Sequence, residues 1–157
     1  MTSAAAFVAV TVPVDPARAF EIFTAEIGLW WKRSLPYRFR PKRPDGRLAF
    51  EPGIGGRLVE RYSEGEPYEA GRVLDWVPGE RLRFEWRGPN FRPGQQTEVE
   101  VRFRAVAGGT RVTVEHRGWE SLPPDHPALH GQALGAHLQR LGNWWGALLE
   151  SFRTQDR

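Results

Sequence analysis

The strongest constraint in this sequence is a strict two-residue alternation that recurs three times in its second half. In Arg81-Leu-Arg-Phe-Glu-Trp86 the apolar Leu82, Phe84 and Trp86 share one face, and Arg81, Arg83 and Glu85 share the other. Over Glu98 to Arg104, Val99, Val101 and Phe103 alternate with Glu100, Arg102 and Arg104. Beyond the Gly108-Gly109 turn, Val112 and Val114 alternate with Arg111, Thr113 and Glu115. Successive side chains of a strand point to opposite faces, so each segment buries one face and wets the other. That is the pattern of an antiparallel sheet with a single core side. No strand–helix–strand rhythm runs through the chain, which excludes a doubly wound parallel sheet.

The remaining elements follow from local signals. Phe7 to Val12 is a β-branched run that stops at Pro13. Asp15 before Pro16 predicts a helix start, with an acceptor at the N-cap and proline at the first helical position. Ala19, Phe20 and Phe23 give that helix an apolar face to about Thr24 or Ala25, and a short turn over Ile27 to Lys32 carries Trp30 and Trp31. Residues 33 to 47 hold Pro36, Pro41, Pro44 and Gly46 and read as a loop. Strands are predicted at Leu48 to Glu51, Arg57 to Tyr62 and Tyr68 to Trp76, the last joined to Arg81–Trp86 by a type II turn at Pro78-Gly79. From about His126 or His130 to Phe152, the residues Leu134, Leu138, Leu141, Trp145, Leu148 and Phe152 recur at steps of three and four, which predicts a long amphipathic helix. Glycines at 131, 135, 142 and 146 interrupt it, and their spacing suggests a close approach of helix to sheet. The chain therefore reads as one α+β domain: a curved six- to seven-stranded antiparallel sheet around a long C-terminal helix, with two short helices after the first strand.

Composition narrows the function classes. A chain of 157 residues can bury one core, and the absence of cysteine removes disulfides, thiol catalysis and thiolate metal sites. No apolar run approaches the ~20 residues of a membrane helix. The opening Met1-Thr-Ser-Ala-Ala-Ala-Phe7 lacks a basic start, and the apolar run after it is broken by Thr11, Pro13 and Asp15. That predicts no secretory leader and a cytoplasmic location. The net charge of +3 is too small to argue for nucleic acid. The charge is uneven, however: Lys32, Arg33, Arg38, Arg40, Lys42, Arg43 and Arg47 face only Asp45 within one loop, which could gate a cavity for an anion or dock an acidic partner.

Three stretches carry a family resemblance. They are Val14-Asp-Pro-Ala-Arg-Ala-Phe20 with Trp30-Trp31, the Gly56-Arg-Leu-Val-Glu60 strand with Gly71-Arg-Val-Leu-Asp-Trp-Val-Pro-Gly-Glu-Arg-Leu82, and Gly109-Thr-Arg-Val-Thr-Val-Glu-His-Arg-Gly-Trp119 with a tryptophan-bearing final helix. In these the chain resembles the START-like (SRPBCC) superfamily of the helix-grip fold. Within it, the chain is similar to bacterial proteins like the C-terminal domain of activators of the heat-shock chaperone ATPase. The resemblance implies a hydrophobic cavity between sheet and final helix, and functions as diverse as the superfamily.

Seven tryptophans bear on such a cavity. Large rings with polar tips suit a flat apolar ligand. The candidate lining is Trp30, Trp31, Trp76, Phe84, Trp86, His116, Leu141, Trp144, Trp145 and Leu148. His116 continues the inward face of Val112 and Val114, where it could orient a ligand or act as a general base with Glu60 or Glu85. Otherwise it is a core histidine satisfied by its neighbours. His126, His130 and His137 share one helix edge if the helix begins early, but no HExxH pattern supports a metal. No phosphate loop is present, since no helix follows Pro52-Gly-Ile-Gly-Gly56, and no serine sits in a nucleophile elbow. The expectation is a binding protein for a small hydrophobic or aromatic molecule, without cofactor or metal, as monomer or homodimer. The alternatives are a chaperone-associated factor acting through its surface and an enzyme of the cyclase/aromatase kind.

Overall fold

A computed structural model describes residues 5–155; the opening residues 1–4, on which the leader reading partly rests, and residues 156–157 lie outside it. Seven strands form one antiparallel sheet in the order β1-β7-β6-β5-β4-β3-β2. They are β1 (Ala5–Val12), β2 (Arg47–Phe50), β3 (Arg57–Arg61), β4 (Tyr68–Val77), β5 (Arg81–Trp86), β6 (Thr97–Val106) and β7 (Gly109–Arg117). Helices α1 (Pro16–Thr24) and α2 (Ile27–Trp30) follow β1, and α3 (Leu134–Arg153) closes the chain.

The alternation seen in the sequence becomes burial. Leu82, Phe84, Val99, Val101, Phe103, Val112 and Val114 all lie inside, while several of the arginines and glutamates on the outer face form ion pairs, such as Arg83–Glu98 at 3.0 Å and Arg117–Glu100 at 2.8 Å. Register slips between Leu58 and Val59 and between Val73 and Asp75 bend the sheet at β3–β5, since a bulge adds local twist. Gly71 sits at this bend, and a Cβ there would stand 1.7 Å from the Glu85 carbonyl oxygen. Only glycine fits. Gly79, at φ 77°, supplies the left-handed residue of the predicted β4–β5 turn.

Asp15 caps α1 by accepting from Arg18 N at 2.8 Å. Its apolar face, Ala19, Phe20, Ile22 and Phe23, is buried. The final helix starts later than the periodicity implies. Pro127–Leu129 forms a 3-10 turn, His130 and Gly131 then take left-handed φ values of 53° and 73°, and α3 begins only at Leu134. The helix glycines also differ from expectation. A Cβ at Gly135, Gly142 or Gly146 would meet nothing within 4 Å, so none marks a close approach to the sheet.

Two apolar clusters result. The main one gathers α1, α2, the inner sheet face and Trp145, Leu148, Leu149 and Phe152 of α3. A smaller one joins Trp119, Leu122 and Leu129 with Phe91, Leu134 and Leu138. Leu141 packs against both.

Candidate functional site

Most of the inner tryptophans pack on one another. Trp30 is 1% exposed, lies 5.0 Å from Phe23 and 5.3 Å from Phe152 between ring centroids, and donates through Nε1 to the Ile22 carbonyl at 3.0 Å. Trp31 stands 5.6 Å from both Trp144 and Trp145, and its Nε1 donates to the Tyr37 carbonyl at 2.9 Å. Trp76 lies edge-on to Phe20 at 5.2 Å, and Phe84 edge-on to Phe50 at the same distance. Leu148 is fully buried.

His116 is also closed in. It is 0% exposed; its Nδ1 accepts from Trp145 Nε1 at 3.1 Å and its Nε2 lies 2.8 Å from Thr97 Oγ1. An indole N–H can only donate, so Nδ1 must be the acceptor and Nε2 carries the proton. Thr97 Oγ1 passes the chain on by donating to the Trp86 carbonyl at 3.1 Å. Burial holds the His116 pKa at about 3, so the ring is neutral at pH 7. Among the described residues no carboxylate hydrogen-bonds to it. Glu60 is occupied elsewhere, accepting from Phe39 N, Arg40 N and Tyr62 Oη at 3.0, 3.0 and 2.6 Å, and Glu85 lies on the outer face near Arg72 N.

One end of the grip is not filled. A cleft of about 440 Å³ opens where α3 passes the β5–β6 loop, walled by Trp86, Phe91, Trp119, Leu141 and Trp144 and rimmed by Leu35, Pro36, His130, His137 and Arg140. Of the residues singled out from the sequence, Trp86, Leu141 and Trp144 line this space; Trp30, Trp31, Trp76, Phe84, His116, Trp145 and Leu148 do not. Behind Trp119 the packing continues inward as a ladder of rings, with His116, Trp119 and His137 at successive centroid distances of 4.9 and 4.4 Å. Trp119 and Phe91 escape the sequence reading because they follow breaks in strand periodicity. Gly118, at φ 95°, turns the chain after β7 and sets Trp119 over His116. The nearest signal is that turn glycine, which immediately precedes the 3-10 turn Trp119–Ser121.

The loop over residues 33–47 is tied to the cleft at one point. Trp144 donates from Nε1 to the Pro36 carbonyl at 2.8 Å and stacks on Tyr37 at 5.4 Å. Its basic residues are largely engaged within the fold: Arg38 donates to the Arg33 and Pro41 carbonyls, Arg43 pairs with Asp45, and Arg40 lies over Tyr62 and Tyr68. The three histidines do not share a helix edge either. His126 accepts from Ala128 N through Nδ1 and meets Gln95 Oε1 through Nε2, so it caps the 3-10 turn. Among the described residues no group of three histidines or acids could hold a metal ion. No helix there is long and apolar enough to cross a membrane.

A second concavity of about 450 Å³ lies on the other side of the sheet, lined by Phe7, Phe103, Thr113, Glu80, Arg81, Arg102, Arg104 and Arg111. Its lining is mainly charged, and Phe7 and Phe103 are the aromatic residues it offers an apolar molecule to bury against.

Comparison with known proteins places this architecture. The family model described as activator of Hsp90 ATPase homolog 1-like protein matches residues 13–144. A crystal structure of a protein from Mesorhizobium loti superposes with a TM-score of 0.62 at 16% identity, covering 98% of this chain and 99% of that one. The solution structure of an Aha1 dimer from Colwellia psychrerythraea gives a TM-score of 0.63 at 15% identity over 98% and 94% of the two chains. DynU16, described as a putative protein in the dynemicin biosynthetic locus, gives 0.66 at 17% identity; 97% of this chain is covered but only 46% of that one. No curated protein matches the sequence.

Proposed function

The chain belongs to the activator of Hsp90 ATPase homolog 1-like family, and from that premise we propose that it binds a small apolar or aromatic molecule in the cleft beside α3, without transforming it. The observation that carries this reading is the aromatic cleft of about 440 Å³ walled by Trp86, Phe91, Trp119 and Trp144. Ligand sites usually span about 300–1,000 Å³ and combine apolar walls with a few polar groups at fixed places. This volume suits a molecule of two or three fused rings. Ring faces and edges of the wall would hold such a ligand in offset or edge-on contact, worth about 0.5–1.5 kcal/mol for each ring pair beyond burial itself.

His116, the candidate base, is not placed to transform a ligand. Both of its ring nitrogens are engaged, and its burial keeps it neutral. A general base needs a free nitrogen within reach of the substrate. A cytoplasmic location belongs to the same reading.

Titration with 2-naphthoic acid and with neutral naphthalene derivatives, followed by tryptophan fluorescence, tests the proposal. Saturable quenching at micromolar concentrations supports it, and the absence of any response from either class sinks it. The family description supports a second reading, in which the protein acts on a heat-shock chaperone through its surface. Stimulation of the ATPase of the chaperone from the same cell, unchanged when Trp119 and Trp144 are replaced, would favour that reading over the cleft.

A further inference from the structure

We infer that the molecule taken by this cleft is an aromatic carboxylic acid, its carboxylate held at the rim by Arg140 with His130 beside it. The inference rests on the cleft reading above and narrows its ligand class.

The polar side chains around the cleft are unbalanced in one direction. No carboxylate lines it, whereas Arg140, His130 and His137 all do. Arg57, Arg83 and Arg117 each face a glutamate elsewhere in the molecule. Arg140 is instead held by uncharged groups: its Nε donates to Gln132 Oε1 at 2.9 Å and its Nη2 meets His137 Nδ1 at 3.2 Å. Among the described residues its Nη1 has no hydrogen-bond partner. The guanidinium is thus oriented by two neutral partners and keeps donors free for a third.

The histidines add donors of the same kind. A guanidinium never accepts, so His137 Nδ1 must take the bond from Arg140, and the proton sits on His137 Nε2. That Nε2–H and the Trp119 Nε1–H are both buried without a hydrogen-bond partner. Leaving a buried donor unsatisfied is costly, and such groups gather where a ligand supplies the missing acceptor. His130 occupies a left-handed conformation at φ 53°, the one residue other than glycine in that region among the described residues. Strain of this sort persists where the surroundings over-determine it, as they do at binding sites. Burial pushes the pKa of both His130 and His137 down, and the positive charge of Arg140 adds to it. An uncompensated positive field at the mouth of an aromatic cleft selects an anion with an aromatic body.

The test compares 2-naphthoic acid with methyl 2-naphthoate, which keeps the rings and removes the charge, at pH 7.5 on the wild-type protein and on Arg140→Met. Affinity is read by calorimetry, and thermal unfolding checks that the variant is folded. The wild type should prefer the acid by about tenfold, the scale of one charge-assisted hydrogen bond. In Arg140→Met that preference should shrink to about twofold or less. Equal affinity for acid and ester in the wild type overturns the inference while leaving the cleft reading intact, as does a preference that survives Arg140→Met. If neither probe binds, the cleft reading fails and takes the inference with it.

Discussion

The two ends of the grip use their aromatic residues in opposite ways. At the α1–α2 end, Phe23, Trp30, Phe103 and Phe152 meet at centroid distances of 5.0–6.0 Å and leave no cleft among them. At the other end, Trp86, Trp119 and Trp144 present rings to an open space of about 440 Å³. The same residue type, on the inner side of the same sheet, is solid core at one end and wall at the other. The difference lies in what arrives to cover it. Two short helices pack down on the first end, whereas the second is covered only by loops, 3-10 turns and the first turns of α3. Core filling depends on matching volumes closely, and here those irregular segments leave the space open.

The contrast is sharpest in truncation. Trp30→Ala should cost about 3–5 kcal/mol in chemical denaturation, because the void it leaves is ringed by Phe23, Phe152 and Trp31 and cannot collapse. Trp144→Ala should cost only about 1–2 kcal/mol, chiefly the Pro36 hydrogen bond and the Tyr37 stack, since its ring already borders open space. Similar losses at both sites would erase the distinction between the ends.

Acidification probes the seam between them. Folded His116 and His137 have pKa values of about 3 and 4, below the ordinary 6.5. As pH falls below 6.5 the unfolded chain binds protons that the folded chain refuses. Stability is therefore complete above pH 6.5 and is lost as the pH drops toward the folded values. Between pH 7.5 and 5 each ring should withdraw about 2 kcal/mol, while most carboxylates stay ionised. His116→Gln should be less stable at pH 7.5 and lose only about half as much on acidification. A pH slope identical to that of the wild type would contradict the assignment.

The smallest effect belongs to α3 itself. Gly142→Ala should stabilise the protein by up to about 1 kcal/mol in thermal unfolding, because a Cβ there meets open space and alanine costs the helix less entropy. A loss of stability would mean that the helix sits closer to its neighbours than these distances allow.

How much of this was legible in the sequence follows the same divide. Alternation in Arg81–Trp86, Glu98–Arg104 and Arg111–Glu115 identified the inner face residue by residue, because strand periodicity reports directly on burial. Asp15-Pro16 placed the start of α1, and Pro78-Gly79 the β4–β5 turn. The periodic run also identified α3, but not its beginning. Pro127 and Gly131 weaken a helical turn over 126–133, but they do not specify the 3-10 turn and left-handed pair that form there. The cleft was legible only in part. Trp86, Leu141 and Trp144 lie on regular elements and could be placed on an inner face. Phe91 and Trp119 owe their positions to the 87–96 and 118–133 segments, whose paths carry no period, while Arg140 lies on α3 off its apolar stripe. Periodicity separates inside from outside; it does not separate a filled interior from a hollow one.

The seven indole N–H groups offer the most direct test of the central claim, that one end of the grip is solid and the other receives a ligand. Two-dimensional ¹⁵N–¹H spectra recorded during titration with 2-naphthoic acid would follow each of them separately. Large shifts at Trp86, Trp119 and Trp144, with Trp30 unmoved, are the predicted result. Shifts centred on Trp30, or no indole shift at saturating ligand, would contradict it.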